Sequence, residues 1–435
     1  MGETNLLNYQ QGLFERICSL EELQLAFKAV KRNHGAAGVD GISIEQFERN
    51  LPRELDQLRR ELEDWTYYPK PVRRVEIPKP QGGIRELGIP TVRDRVVQAS
   101  VKAVLEPIFD PLFSNSSYGF RPKRNQRQAV EAAQKLVQSG KEYVVDLDLA
   151  KFFDRVHHDR LIHRLRQQVP DNRVLRLIGI TLRSGVLKDG LVSATKEGTM
   201  QGSPLSPLLS NVVLDELDKE LESRGLSFCR FADDCNIFVS SKKSADRVMQ
   251  SIGKFIEKRL RLVVNQEKSK VALSNSVRFL GMTIIAGTIA ISAQSIQRAM
   301  DKVKELTRRG SSLNLHDTMK EINSWYVGWA SYYQMTQYPA QLSVIESHVR
   351  RRLRARIVAQ QKRRRYLYWH LRKRGIHHRL ARVALTNRKR WALSHTEAVE
   401  TAYPNAWFRD ELGQLIKSRP RLPHQLPLKK WVKLT

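Results

Sequence analysis

Asp233 and Asp234 stand side by side between two short runs, Leu226-Ser227-Phe228-Cys229-Arg230 and Cys235-Asn236-Ile237-Phe238-Val239. Both runs are rich in β-branched and aromatic residues. The pattern predicts strand, tight turn, strand, with Phe231-Ala232-Asp233-Asp234 at the tip. Two acids on a hairpin tip are not both satisfied by local capping. They invite a divalent cation, usually Mg²⁺ where carboxylates meet phosphates. An Asx-type turn that merely reverses the chain would use the same residues.

A second acidic stretch narrows the choice. Tyr143-Val144-Val145-Asp146-Leu147-Asp148-Leu149 alternates as a strand, which puts Asp146 and Asp148 on one face. Lys151-Phe152-Phe153-Asp154 follows. An acid on a buried strand is costly without a partner or a metal. A strand carboxylate beside a hairpin tip bearing two more can build a two-metal site. The metals there lie about 3.5–4 Å apart, bridged by carboxylates and substrate phosphates.

Other segments suit phosphates and nucleic acid. Residues 72–90 alternate as a hairpin, with Lys79 and Arg85 near its tip. Two such cations can clamp a triphosphate, Lys as a point charge and Arg as a fork; a solvated hairpin has the same composition. Leu20, Leu23, Leu25, Phe27 and Val30, then Leu51, Leu55, Leu58 and Leu62, recur at roughly helical spacing. Between them lies the loop Gly35-Ala36-Ala37-Gly38-Val39-Asp40-Gly41, whose glycines admit a phosphate or simply turn the chain. Ser117-Tyr118-Gly119-Phe120-Arg121-Pro122 is an irregular loop between helices at 92–110 and 126–138. Residues 198–207 form a polar loop that opens a helix, suited to a phosphate or template strand or to an ordinary Ser/Pro helix entrance. A strand pair runs from Phe279-Leu280-Gly281-Met282 to about Ile291, and helices follow from residue 295. The cluster Trp325 to Tyr333 suits helix packing better than base stacking.

At 435 residues the chain exceeds one typical core. Lys plus Arg number 75 against 45 acids, a net charge of +30 that calls for a polyanion, nucleic acid first. From Arg350 through Arg390 there are seventeen Lys or Arg, and no acid stands between Glu346 and Glu397. Tyr366, Tyr368 and Trp369 lie inside that run. A solvated face would carry mixed signs, so the run fits a nucleic-acid surface. The three cysteines form no CxxC pair, which argues against a cysteine zinc site and suits a reducing compartment. The N-terminus lacks signal-peptide features, and no apolar run approaches the roughly 20 residues of a membrane span.

Taken together, these stretches resemble the reverse transcriptase/maturase proteins encoded by bacterial group II introns. The matching pieces occur in the family's order: the loop 35–41, Ile77-Pro78-Lys79 with Arg85 and Leu87 to Pro90, Ser117 to Pro122, and Asp148 to Asp154. Then come Gly198 to Ser206, the Phe-Ala-Asp-Asp turn, Asn265 with Lys268-Ser269, Phe279-Leu280-Gly281, and the Gly328-Trp329 and Tyr332-Tyr333 cluster. The resemblance implies that Asp148, Asp233 and Asp234 are the catalytic acids. With Leu149 they would form the metal-binding set for two Mg²⁺ ions, Mn²⁺ being a substitute. Lys79 and Arg85 would hold the incoming triphosphate, and Phe153 would gate against a ribose 2′-hydroxyl. Gln201 would lie against the nucleotide, Gly202 against the template, and Lys268 near the pyrophosphate. Nucleic-acid contacts would come from Arg121, Gly202, Arg363, Arg364, Arg365, Arg372, Lys373 and Arg374. Phe231 and Met200 depart from the family's usual Tyr and Pro and leave the acids intact. No Cys-paired nuclease motif follows the basic region, as in the endonuclease-lacking, class IIC-like branch.

The expected fold is α+β, a right-hand polymerase with fingers, a palm with an antiparallel sheet and a helical thumb, plus a small basic C-terminal domain. Expected boundaries are 1–60 for an N-terminal extension and the start of the fingers, 61–291 for fingers and palm, 292–365 for the thumb and 366–435 for a basic DNA-binding region. The expected function is RNA-directed DNA synthesis together with binding of structured intron RNA to assist splicing and retromobility. Partners would be an RNA template, a DNA primer or target, and dNTPs, without a membrane, in a bacterial cytoplasm; a homodimer stays open. The alternatives are a free-standing transcriptase serving host defence or repair, and a splicing cofactor whose polymerase activity is secondary.

Overall fold

The computed structural model describes residues 12–78, 83–188, 191–193, 197–199, 201–308, 310–338, 340–387 and 389–417. The chain divides into two compact units, Met1–Ala272 and Leu273–Thr435.

The first unit opens with helices α1 (Leu13–Cys18), α2 (Leu20–Arg32), α3 (Ile44–Arg49) and α4 (Leu51–Glu63). Ser19 caps α2 by accepting from the Glu22 N–H, and Ser43 with Gln46 closes a capping box on α3. Leu23, Ala26, Phe27 and Val30 form the buried stripe of α2. Leu20 and Leu25, expected in that stripe, are 45% and 51% exposed. Gly38 in the loop 35–41 packs against the chain itself: a Cβ there would lie 2.6 Å from Thr91 Cα. Its glycine serves a close backbone crossing.

Strands β1 (Val72–Pro78) and β2 (Ile84–Ile89) form the expected antiparallel hairpin, with Arg73 opposite Ile89 and Pro78 opposite Ile84. Helices α5 (Val92–Phe109) and α6 (Gln126–Gln138), strand β3 (Tyr143–Leu147), and helices α7 (His158–Arg166) and α8 (Asn172–Leu182) come next. Strands β4 (Val186–Lys188) and β5 (Leu191–Ser193) complete a four-stranded sheet in the order β2-β1-β4-β5. After helix α9 (Ser206–Ser223) come β6 (Ser227–Phe231), β7 (Asp234–Val239), helix α10 (Lys242–Phe255) and β8 (Lys270–Leu273). The second sheet has the order β6-β7-β3-β8, with β7 antiparallel to both β6 and β3. One hydrophobic core runs from Leu13 to Val264, so the N-terminal helices share it with this sheet. The boundary expected near residue 60 falls inside it.

The second unit contains the hairpin β9 (Met282–Ile285) and β10 (Thr288–Ile291), then α11 (Ala293–Leu306), α12 (Leu315–Tyr333), α13 (Ala340–Gln360) and α14 (Arg364–Lys373), with shorter helices to Asp410. The hairpin, expected with the palm, belongs to this unit. The outer edge of β10 is closed by side chains: Ile289 N–H donates to Gln337 Oε1 at 2.9 Å, and Ile291 N–H to Gln341 Oε1 at 2.8 Å. Gln341 Nε2 donates in return to Ile291 O at 2.9 Å. A single core runs from Ala299 to Leu412, so residues past 366 pack with α11, α12 and α13 instead of forming a core of their own. Among the described residues, no helix is long and apolar enough to cross a membrane.

Candidate active site

Phe231 pairs with Asp234 across β6 and β7, which leaves Ala232 and Asp233 as a two-residue turn. Ala232 has φ +59°, the left-handed conformation such hairpin turns require. β3 flanks β7 with Leu147 opposite Cys235. Asp148, the next residue, therefore emerges beside the turn.

The turn is held from behind. Gly119 lies so close that a Cβ on it would stand 2.2 Å from Ala232 N. Tyr118 N–H donates to Arg230 O at 2.8 Å, and Arg230 N–H to Ser116 O at 2.9 Å. The Asn211 amide donates to Gly119 O at 2.9 Å. The Arg230 guanidinium donates to both oxygens of Asp218 at 2.7 and 2.5 Å, to Asn211 Oδ1 at 3.0 Å and to Ala232 O at 2.9 Å. Both side chains of the Arg230–Asp218 pair are 0% exposed. Sequence reasoning missed Arg230, Asp218 and Asn211. One signal was present: Asp218 falls on the apolar stripe Leu214, Leu217, Leu221 of α9, where a lone acid needs a buried partner.

Asp148 is clamped separately. Its N–H donates to Ser269 Oγ at 3.0 Å, and its carbonyl accepts from Asn265 N–H at 2.9 Å. Asn265 Nδ2 donates to the Asp148 carboxylate at 3.1 Å. Asn265 Oδ1 accepts from the Glu267 N–H at 3.2 Å, which settles which end of the amide faces Asp148.

Burial pushes the Asp233 carboxyl above the usual carboxylate range, and the charge of Asp148 pushes the same way. A backbone hydrogen bond, Arg85 and Arg230 pull it back. Asp148, Asp233 and Arg85 thus share one electrostatic environment. Phe120 (φ +60°) and Lys151 (φ +50°) join Ala232 in the left-handed region, within two residues of Tyr118 and Phe153 respectively. Strain of this kind in non-glycine residues collects at functional sites.

Asp234 begins β7 and is half-buried, and Leu149 is buried and bridges to Val264. Among the described residues, no group of three His, Cys, Asp or Glu side chains is gathered for a metal. The structure brings two of the expected acids, Asp148 and Asp233, into mutual influence. Phe153 is half-buried, edge-on to Phe152 at 5.3 Å, and its carbonyl accepts from Thr199 N–H at 2.6 Å. Gln201 O accepts from Gly88 N–H at 2.8 Å. Gly202 (φ +111°) lets the loop pass Gly88, where a Cβ would meet Gly88 O at 2.7 Å. Lys268 is exposed beside the Asp148 clamp. Lys79 and Met200 lie outside the described residues.

Arg121, expected on nucleic acid, is instead spent inside the protein. It is 9% exposed and donates to the Asp110 carboxylate at 2.6 Å and to Ser114 O at 2.6 Å. Its fork shapes the loop that carries Gly119. The basic run of the second unit divides in the same way. Arg350, Arg354 and Arg356 of α13 are buried: Arg354 donates to Tyr403 O at 2.9 Å and Arg356 to Thr318 Oγ1 at 2.7 Å. Arg364 donates to Leu385 O at 3.0 Å, and Arg372 to Ile376 O at 2.8 Å. Arg374 donates to Ala402 O at 2.7 Å and covers the Tyr403 ring at 4.1 Å. Arg363, Arg365 and Lys373 are exposed.

Comparison with known proteins agrees with this architecture. Residues 77–284 match the family "Reverse transcriptase (RNA-dependent DNA polymerase)", and residues 296–375 match "Group II intron, maturase-specific domain". Protein YkfC of Escherichia coli (strain K12) is 33% identical over 316 residues, covering 63% of this chain and 83% of YkfC. Group II intron-encoded protein LtrA of Lactococcus lactis subsp. cremoris is 32% identical over 250 residues, 57% of this chain and 40% of LtrA. A Cas6-RT-Cas1–Cas2 complex aligns at 26% identity and a TM-score of 0.37 over 56% of this chain and 26% of its own, too loosely to bear on the fold. The α+β palm with its acidic turn, the reverse transcriptase match and the maturase match in sequence order place this chain in the group II intron reverse transcriptase/maturase family.

Proposed function

We propose that this reverse transcriptase extends a primer at Asp148 and Asp233, with Asp234 beside them, and that its second unit binds intron RNA. The observation that carries the reading is the pairing of Asp148 and Asp233. Asp148 stands at a strand end and Asp233 in the adjoining turn, near enough for the charge of Asp148 to act on Asp233, and hydrogen bonds hold Asp148 and the Ala232 backbone of the turn. Burial and mutual repulsion make the Asp233 anion costly. Hard oxygen donors short of positive charge fit Mg²⁺, which keeps several waters and takes few protein ligands. Asp148 and Asp233 would hold it, with the Leu149 backbone and Asp234 at the margin. Bound there, the metal would lower the pKa of the primer 3′-hydroxyl and neutralise charge on the triphosphate.

The protein's own residues do the rest. Arg85 on β2 acts on the charge of Asp233 and is suited to the triphosphate. Phe153, five residues past Asp148, would restrict the sugar. The Gly88–Gln201–Gly202 crossing ties the hairpin to the loop that would face template and nucleotide.

Primer extension on an RNA template with Mg²⁺ tests this. Asp233→Asn should abolish extension while leaving RNA affinity within about twofold, because the basic surfaces are untouched. Extension at the wild-type rate would remove Asp233 from the site. The maturase match favours a second role in splicing, tested by whether the protein accelerates self-splicing of a group II intron at low Mg²⁺.

A further inference from the structure

Helix α14 (Arg364–Lys373) buries Leu367 and Leu371 and leaves its opposite side uncovered. At 3.6 residues per turn, Arg365, Tyr366, Trp369, Arg372 and Lys373 occupy one arc of roughly 120°, with Trp369 near its middle. Tyr366 is 57% exposed and Trp369 60%. Large aromatic rings are rarely left so open on a soluble surface without a use. Both rings are braced: Tyr368 packs edge-on to Trp369 at 5.2 Å, and the Arg363 guanidinium lies 5.7 Å over the Tyr366 ring. Arg365 and Lys373, flanking them, have no internal partner among the described residues.

We propose that this arc is a stacking platform for an unpaired stretch of RNA. Bases would lie on Trp369 and Tyr366 while Arg365, Lys373 and the Arg372 nitrogens not bonded to Ile376 O follow the phosphates. Every base has a π-face, so such a surface holds single strands with little regard to sequence, and a duplex, whose bases are already stacked, offers it no faces. The cations exclude an apolar protein partner, since burying them would leave their charge unpaired. An anionic membrane is the weaker fit, because two rings on ten residues supply little area for insertion. RNA is favoured over DNA because the helix lies wholly within the segment matched by the group II intron maturase-specific domain. The inference rests on the proposed RNA-binding role of the second unit. It assigns to five residues what the sequence had spread over the whole basic run.

The test uses the full chain and four probes: an unstructured uridine 15-mer, single-stranded DNA of the same length, a blunt RNA duplex of equal length, and vesicles containing anionic lipid. Trp369→Ala should weaken 15-mer binding on the order of tenfold, and Trp369→Phe should restore most of it. Duplex affinity should change less than twofold. Replacing Arg365 and Lys373 together with Gln should instead reduce the salt slope by roughly 0.7 per contact, a slope that Trp369→Ala leaves unchanged. Melting temperature should match wild type in each variant. Failure of the wild-type protein to bind either RNA would overturn the RNA-binding role of the second unit, and the platform with it. Equal losses on single strand and duplex, no loss at all, a larger loss on single-stranded DNA of the same length, or a loss confined to vesicles would each overturn the proposal.

Discussion

Arg230 and Asp218 form a two-pronged ion pair, completely sealed from solvent, directly behind the turn that carries Asp233. The same guanidinium reaches Ala232 O, so a charge pair in the core is mechanically joined to the turn that carries Asp233. Breaking such a pair from one side strands the other charge and costs about 3–5 kcal/mol. Arg230→Met should therefore lower the unfolding free energy by that order in a urea titration. The double variant Arg230→Met with Asp218→Leu should regain most of it, because a buried pair is replaceable by apolar volume. It should still extend primers poorly, since the Ala232 carbonyl loses its anchor. Wild-type extension by the double variant would show that the pair is structural alone.

Asn265 gives a gentler probe. Its amide orients the Asp148 carboxylate from outside the site. Partners of this kind typically contribute roughly 10- to 100-fold to metal affinity or activity. Asn265→Ala should raise the Mg²⁺ concentration needed for half-maximal extension, with little change in melting temperature. An unchanged Mg²⁺ requirement would mean that Ser269 and the backbone hold Asp148 unaided.

Phe153→Ala should raise incorporation of ribonucleotides relative to deoxyribonucleotides, by opening space where a 2′-hydroxyl would sit. Competition between rNTP and dNTP on one template reads the ratio directly. An unmoved ratio would leave Phe153 as a core residue packed on Phe152.

Asp215 on α9 supplies a pH dependence away from the acids of the turn. Burial pushes its carboxyl up to about 6 from the usual 3.8, with Asp218 adding to the rise and Lys219 and Arg164 opposing it. The folded protein therefore holds this proton more tightly than the unfolded chain does. The stability it contributes is present below about pH 4 and is lost as pH rises through 6. Asp215→Asn should raise the urea midpoint at pH 8 and leave it nearly unchanged at pH 3.5. A uniform shift at both pH values would point to packing instead.

The hairpins were legible because a period of two marks a strand whatever the tertiary context: β1–β2 and β6–β7 fell where alternation placed them. The nearness of Asp148 and Asp233 was legible because a strand-end acid beside an acid on a hairpin tip has few innocent explanations. Leu20 and Leu25 were misread because spacing yields a stripe without saying how wide it is. The arginines misled more. Arg121, Arg354 and Arg356 count as surface charge in any composition, yet each donates to carbonyls or side-chain oxygens inside the fold. A guanidinium has five donors and a long apolar stem, so it can serve as internal scaffolding without leaving a trace in its local sequence. The Arg230–Asp218 pair hid for a related reason, its partners standing twelve positions apart on different kinds of element.

Gln337 and Gln341 deserve a last consideration, because they stand in for a strand that is absent. An open strand edge is a template on which another copy can add itself, and proteins that leave one exposed tend to associate irreversibly when concentrated. Here two side-chain amides occupy the donors of Ile289 and Ile291. The hairpin is thereby made non-adhesive by two residues lying outside it. A variant with both glutamines changed to alanine would keep its helices and the acids Asp148 and Asp233, and would be expected to lose its solubility first.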